Sequence, residues 1–229
     1  MLFVSDEAAI KIGRNLIIAD LHIGIELESA QRGIYLKQID NLKSRVNLLL
    51  EKGRYERIII LGDLKHTIPF VKLYESRAVQ EFVNFLQKHC DVLLVKGNHD
   101  AWMSRLCPEL RIENEVRIGR YVLSHGHRRL RTALKKGDVI IVAHNHPLIE
   151  LRDEKGARYV EKVWVIGETK SRDSRQKNKI IIMPAFSDIA GGMCINKLKS
   201  ERDLLGPVAK RIDLSRARFF LLSGAEVLP

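Results

Sequence analysis

The stretch VLLVKGNHD, residues 92–100, places an amide, an imidazole and a carboxylate directly behind four apolar residues. A run this short, ended by Gly97, reads as a buried strand that gives way to a loop. Gly97, Asn98 and Asp100 are turn formers, so taken alone these residues describe an ordinary polar turn. The rest of the chain decides against that reading.

The same device occurs four more times. Asn15–Ala19 leads into Asp20-Leu21-His22, Arg57–Leu61 into Gly62-Asp63, Tyr121–Ser124 into His125-Gly126-His127, and Val139–Ala143 into His144-Asn145-His146. Ile180–Met183 and Tyr159–Ile166 are further strand-like runs. Ile39, Leu42, Val46, Leu49 and Leu50 recur at helical spacing before Gly53, and Val79, Phe82, Val83 and Leu86 do so before His89. The order is strand–helix–strand in the first half and mostly strands in the second, which two packed sheets with helices outside would satisfy. No repeat, Pro-rich linker or low-complexity tract divides the chain, so residues 1–229 are expected to form a single domain.

Loops beyond the carboxyl ends of strands converge on one crevice in open α/β sheets, so the five polar endings should meet. Together they offer aspartate, asparagine and histidine donors without thiolate, a set suited to Mn²⁺, Fe²⁺ or Zn²⁺. In an extended Asp20-x-His22 or His144-x-His146 the two side chains share a face and can reach one ion. Seven or eight such ligands exceed the needs of a single ion, which argues for two metals sharing a carboxylate.

In this order DLH, GDxxH, GNHD, HG and HxH resemble the calcineurin-like metallophosphoesterases, over residues 15–147. The resemblance implies an α+β, four-layer αββα sandwich with a dimetal centre in its loops. It makes Asp20, His22, Asp63 and His146 the ligands of one ion and Asp63, Asn98, His125 and His144 those of the other, most readily Mn²⁺. His99 is then the group that protonates the leaving oxygen, with Asp100 orienting it. The chain departs from the usual pattern at Gly62-Asp63-Leu64-Lys65-His66, where GDxxD is common, and at Ala143 and Asn145, where GHTH is usual. Neither change removes a ligand. His66 is expected to support a ligand or touch substrate, and Lys65 to meet a phosphate or point into water. The GDLKH variant, with PAFSDIAGG at 184–192, looks closest to the phosphoesterases associated with Lhr-type helicases and DNA ligases, implying a link to DNA repair and a helicase or ligase partner. The PAFSDIAGG loop is expected to wall the pocket.

Charge bears on the substrate. Lys and Arg number 39 against 28 Asp and Glu, and the net +11 favours acidic partners, nucleic acid first. Arg128 and Arg129 follow ligand His125 closely and are expected to contact substrate phosphates. The stretch KSRDSRQKNK at 170–179 reads as a mobile basic loop able to track a polynucleotide backbone. Aromatic residues, 6% of the chain, are not interleaved with these cations, so phosphate contacts rather than base reading should dominate. Trp102 is expected to be a packing residue.

The apolar runs are strand-sized, too short to span a bilayer, and the early Asp6 and Glu7 do not resemble a basic leader, so a cytoplasmic protein is expected. Cys90, Cys107 and Cys194 are too scattered for a disulfide framework or a zinc site and read as buried small apolar residues. The function expected is a dimetal phosphoesterase cleaving phosphodiesters in nucleic acid. The alternatives are an enzyme for small nucleotides and a metal-containing module that docks nucleic acid or a helicase. Retention of His99 and Asp100 beside every ligand argues against the module. The sequence carries no signal of oligomeric state.

Overall fold

The apolar runs that end in polar loops are the central strands of two sheets. A computed structural model of the chain describes residues 1–30, 33, 35–68, 72–170 and 177–228. The first sheet joins β1 (Leu2–Phe3), β2 (Ala9–Ile12), β3 (Asn15–Ile18), β4 (Arg57–Ile60), β5 (Asp91–Val95) and β6 (Arg111–Glu113) in that order. The second contains β7 (Val116–Ile118), β8 (Tyr121–Ser124), β9 (Val139–Val142), β10 (Pro147–Arg152), β11 (Arg158–Glu168), β12 (Lys179–Ile182), β13 (Met193–Cys194), β14 (Arg218–Leu221) and β15 (Glu226–Val227). Strands β3 to β6 run parallel, as do β8, β9 and β12, so the carboxyl ends of each group open on one side.

Alternation of side chains makes three cores. In β3 and β4, Leu16, Ile18, Ile58 and Ile60 face the outer helices, while Ile17 and Ile59 face the other sheet. Across that inter-sheet core Ile141 and Ile181 answer from β9 and β12, whose Ile140, Val142, Ile180 and Ile182 face outward. Burial on both faces explains why these strands read as continuous apolar runs. Each such side chain contributes about 1.5–3 kcal/mol on leaving water.

Helix α1 (Glu26–Ala30) is short. Helices α2 (Gln38–Lys52) and α3 (Leu73–Gln87) cover the first sheet, burying Leu42, Val46 and Leu49 from one and Val79, Phe82, Val83 and Leu86 from the other. Helix α4 (Met103–Leu106) is a single turn after the GNHD loop. The fourth layer differs in kind from the helices expected there. Short 3₁₀ turns at Ile195–Lys197, Glu201–Asp203, Ala209–Arg211 and Leu214–Arg216 lay Ile195, Leu204, Val208, Ala209 and Ile212 on the outer face of the second sheet.

Among the described residues no helix is long and apolar enough to cross a membrane. Of the basic stretch 170–179, residues 171–176 lie outside the described residues. Lys170 pairs with Glu201, and Lys177 stands 3.8 Å from Glu168. Cys107 is buried, whereas Cys90 and Cys194 are only half-buried; all three are free.

Candidate metal centre

Five loops leave the carboxyl ends of β3, β4, β5, β8 and β9, and hydrogen bonds stitch them together. The first and second loops pair through their backbones, Asp20 N to Gly62 O at 3.1 Å and His22 N to Asp63 O at 2.9 Å. The Asp100 carboxylate accepts from Asp63 N at 2.8 Å, Leu64 N at 2.9 Å and Gly97 N at 2.7 Å, tying the second loop to the third. His125 Nδ1 donates to Leu61 O at 3.0 Å, and His144 N donates to Asp20 Oδ2 at 3.1 Å. The packing is too tight for side chains at the glycines: a Cβ on Gly97 would stand 2.1 Å from Asp63 Oδ1.

Backbone strain is concentrated here. Seven non-glycine residues among those described have φ in the left-handed region, and five of them are Asp20, His22, Asp63, His144 and His146. Such conformations cost about 1–3 kcal/mol each and persist where the surroundings impose them, typically at functional sites.

The loops assemble two groups of donors that contain a carboxylate, beside a third made of His22, His66 and His99 alone. Asp20, His22 and His146 bring ligand atoms within 4.8 Å of one another, as do Asp63, His125 and His144. Asp63 Oδ2 lies 3.3 Å from His125 Nε2 and 3.8 Å from His22 Nε2, so one carboxylate faces both groups. Asn98 Oδ1 joins the second group, 3.1 Å from His125 Nε2.

These residues fit cations. Imidazole nitrogens face one another at 3.3 Å (His22 Nε2 and His146 Nε2) and 3.2 Å (His125 Nε2 and His144 Nδ1), where each pair presents lone pairs to the same space. Asp20 Oδ1 is buried and accepts no hydrogen bond, its nearest partners being His146 Nε2 at 3.4 Å and His125 Nδ1 at 3.6 Å. A buried carboxylate in that state calls for a positive charge. The outward nitrogens are already committed to the protein, His146 Nδ1 to Gly191 O at 2.7 Å and His125 Nδ1 to Leu61 O, which leaves Nε2 to a metal.

The electrostatics agree. Burial opposes ionisation of Asp63, but the hydrogen bond and charge of His125, with the charges of His22 and His99, hold it well below the usual range. Burial likewise works against a charged His125, and the Asp63 hydrogen bond and the Asp63 and Asp20 charges outweigh it, lifting the ring to about 9: the two carboxylates favour positive charge at this ring, which a metal ion would supply in place of the proton. Burial pushes His22 and His144 down to about 4, so both rings are neutral lone-pair donors.

The family model described as calcineurin-like phosphoesterase matches residues 13–180, a span that contains all five loops. The chain belongs to the calcineurin-like phosphoesterases. It is thus a metal-dependent phosphoesterase of a family that uses a dinuclear metal site. A search of curated proteins found no match. Among solved structures, the chain is similar to the Pseudomonas putida nuclease MPE, at 22% identity with a TM-score of 0.58, over 92% of this chain and 85% of that one. It also matches Yfce, a phosphoesterase from E. coli, at 15% identity with a TM-score of 0.45, over 93% of this chain and 96% of that one.

In this phosphoesterase His99 lies beside the two groups, lining the same pocket as His22, Asp63, Asn98, His144 and His146. Its partner is not the one expected. Asp100, fully buried, gives its carboxylate to three backbone N–H groups, whereas His99 Nδ1 meets the carbonyl of His66. Asp100 therefore shapes the loop and His66 orients the ring. Burial and the neighbouring Asp63 charge push Asp100 up to about 6. His66 also stands with Nδ1 3.3 Å from His22 Nδ1 and Nε2 3.0 Å from Glu28 Oε1, bracing the His22 ring from behind. Lys65 neither meets the pocket nor points into water: it is fully buried and donates to the Thr67 carbonyl.

Arg128 and Arg129 are exposed beyond His125 and are not among the residues lining the ligand pocket. Trp102, expected to pack, is 47% exposed with φ +66° and the Arg105 guanidinium 4.4 Å from its ring centre. The PAFSDIAGG loop does wall the pocket, through Gly191 and Gly192. Leu205 and Met193 line it too, and sequence reasoning missed both, since neither belongs to a motif. A larger groove of about 710 Å³ opens at the amino ends of β4 and β5, around Tyr55, His89 and Arg111, away from these ligands.

Proposed function

We propose that this phosphoesterase hydrolyses phosphodiester bonds in nucleic acid, using two divalent cations, Mn²⁺ before Fe²⁺ or Zn²⁺. The observation that carries the reading is the convergence of seven donor side chains on two groups that Asp63 faces alike, with His99 on the same pocket. Asp20, His22, Asp63 and His146 would hold one ion, and Asp63, Asn98, His125 and His144 the other. When bound, the cations supply an activated water and positive charge for the attacking and leaving oxygens of an in-line displacement.

The protein's own groups do the rest. His99 has its Nδ1 fixed on the His66 carbonyl, so Nε2 is the atom that delivers a proton to the leaving oxygen. Its backbone N–H donates to Asp63 Oδ1 at 2.9 Å, which locks the distance between the proton donor and the shared carboxylate. Two observations support a polynucleotide substrate: the net charge of +11 and the exposed Arg128 and Arg129 beside the His125 loop. The nuclease activity named for the Pseudomonas putida structure agrees with it. A setting in DNA repair beside a helicase or ligase follows from the GDLKH and PAFSDIAGG resemblance.

The test is a plate of substrates offered to the Mn²⁺-reconstituted protein: bis-p-nitrophenyl phosphate, p-nitrophenyl phosphate, cyclic nucleotides, DNA and RNA. Cleavage of the diester and of nucleic acid, abolished by a chelator, is the expected result. Turnover of the monoester or cyclic nucleotides alone would mark a small-molecule enzyme, and no turnover at all a docking module.

A further inference from the structure

The pocket, about 380 Å³, is lined by the His, Asp and Asn side chains, by Gly191 and Gly192, and by two apolar residues, Met193 and Leu205. Leu205 is 45% exposed, although its neighbour Leu204 is buried in the outer core. Its backbone is clamped by Asn145, the residue between ligands His144 and His146. Asn145 Oδ1 accepts from Leu205 N at 2.7 Å, and its Nδ2 donates to Leu205 O and to Ala143 O, each at 3.2 Å. Asn145 is itself 2% exposed, so the clamp is shielded from water. On the other side Gly206, at φ +73°, presses on the ligand-bearing fourth loop, where a Cβ would stand 2.3 Å from Gly126 O. The wall is thus fastened to two of the loops that carry the candidate ligands, and it places Leu205 in the lining of the site.

We propose that Leu205, positioned by Asn145, packs against the nucleoside on the non-leaving side of the scissile phosphate and so selects nucleoside diesters over simple alkyl ones. The inference rests on the hydrolase reading above. Phosphate oxygens belong with the cations and the cationic side chains, so a leucine at this pocket has nothing to offer the reacting group. The sugar and base are the parts of such a substrate with apolar faces. The side of the phosphate is fixed by His99, which must face the leaving oxygen. His99 also borders a second cavity of about 300 Å³, with Glu28, His66, Thr67 and Lys72 in its walls, into which the leaving portion would extend. Leu205 borders only the first cavity.

Two esters with one leaving group isolate this contact: thymidine 5′-(p-nitrophenyl phosphate) and methyl p-nitrophenyl phosphate. The Mn²⁺-loaded protein is expected to prefer the nucleoside ester, and Leu205→Ala to reduce the ratio of the two kcat/KM values roughly tenfold, the scale of a few apolar carbons removed from a contact, chiefly through KM. Leu205→Met should keep most of the preference. By calorimetry, thymidine 5′-phosphate should lose affinity relative to methyl phosphate by a similar factor. Asn145→Ala, which frees the wall, should lower the same ratio. A ratio that stays unchanged in Leu205→Ala overturns the assignment while leaving the hydrolase reading intact. A wild-type protein that cleaves neither ester overturns both.

Discussion

His99 owes its position to His66 and Asp63, and that separates its role from that of Asp100. With Nε2 as its working atom, replacement by Asn should leave two metals bound and slow esters with poor alkoxide leaving groups by roughly 10²–10⁴. Esters of p-nitrophenol should suffer less, because that group departs without a proton; equal losses on both would contradict the assignment. Asp100→Asn should behave differently. An amide cannot accept all three backbone N–H groups now held by the carboxylate, and each buried donor left unpaired costs about 1–3 kcal/mol. The expected outcome is a lower melting temperature together with weaker metal binding. A variant that keeps its stability and metals but loses turnover would restore Asp100 to catalysis. The expected ligand residues could be grouped from sequence because each follows a recognisable strand. The partner of His99 could not, because that contact is made by the backbone of His66, and a carbonyl carries no sequence signature.

At the scale of elements, legibility followed burial. Strands β3, β4, β5, β8, β9 and β12 were found within a residue of their ends, since apolar runs such as Ile58-Ile59-Ile60 have few other interpretations. The short strands β1, β6, β7, β13 and β15 lie at or near sheet edges and hold only two or three residues, too few for a period to show. The segment 195–216 was opaque for another reason. Its apolar residues Ile195, Leu204, Val208 and Ile212 start or flank isolated 3₁₀ turns, which have no sustained periodicity to read. What holds that layer to β10 is partly ionic: Glu150 binds Arg158 on β11 and Lys197, and their hydrogen bonds depress its carboxyl to about 2 from an ordinary 4.5. A depressed carboxylate stabilises the fold above its unfolded value and ceases to do so as pH falls through its folded value. Glu150→Gln should therefore lower the melting temperature at neutral pH, with the gap to the parent narrowing below about pH 4.5 and closing near pH 2. A gap independent of pH would show that packing, and not charge, is responsible.

At the scale of the whole molecule, the excess of cations makes a prediction about salt. If Arg128 and Arg129 hold phosphates, binding to DNA or RNA should fall with a log–log slope of about −0.7 to −0.9 per contact, and replacing both by Ala should flatten that slope by about two contacts' worth. An unchanged slope would remove them from the interface. The central claim concerns the five loops, which two sheets bring to one place with Asp63 between two sets of donors. Metal content by elemental analysis tests it most directly. The Mn²⁺-reconstituted protein should hold two ions per chain, Asp63→Ala should lose both, and His22→Ala should weaken only one. A wild-type protein that saturates at a single ion, or an Asp63→Ala variant that still holds two, would contradict the account.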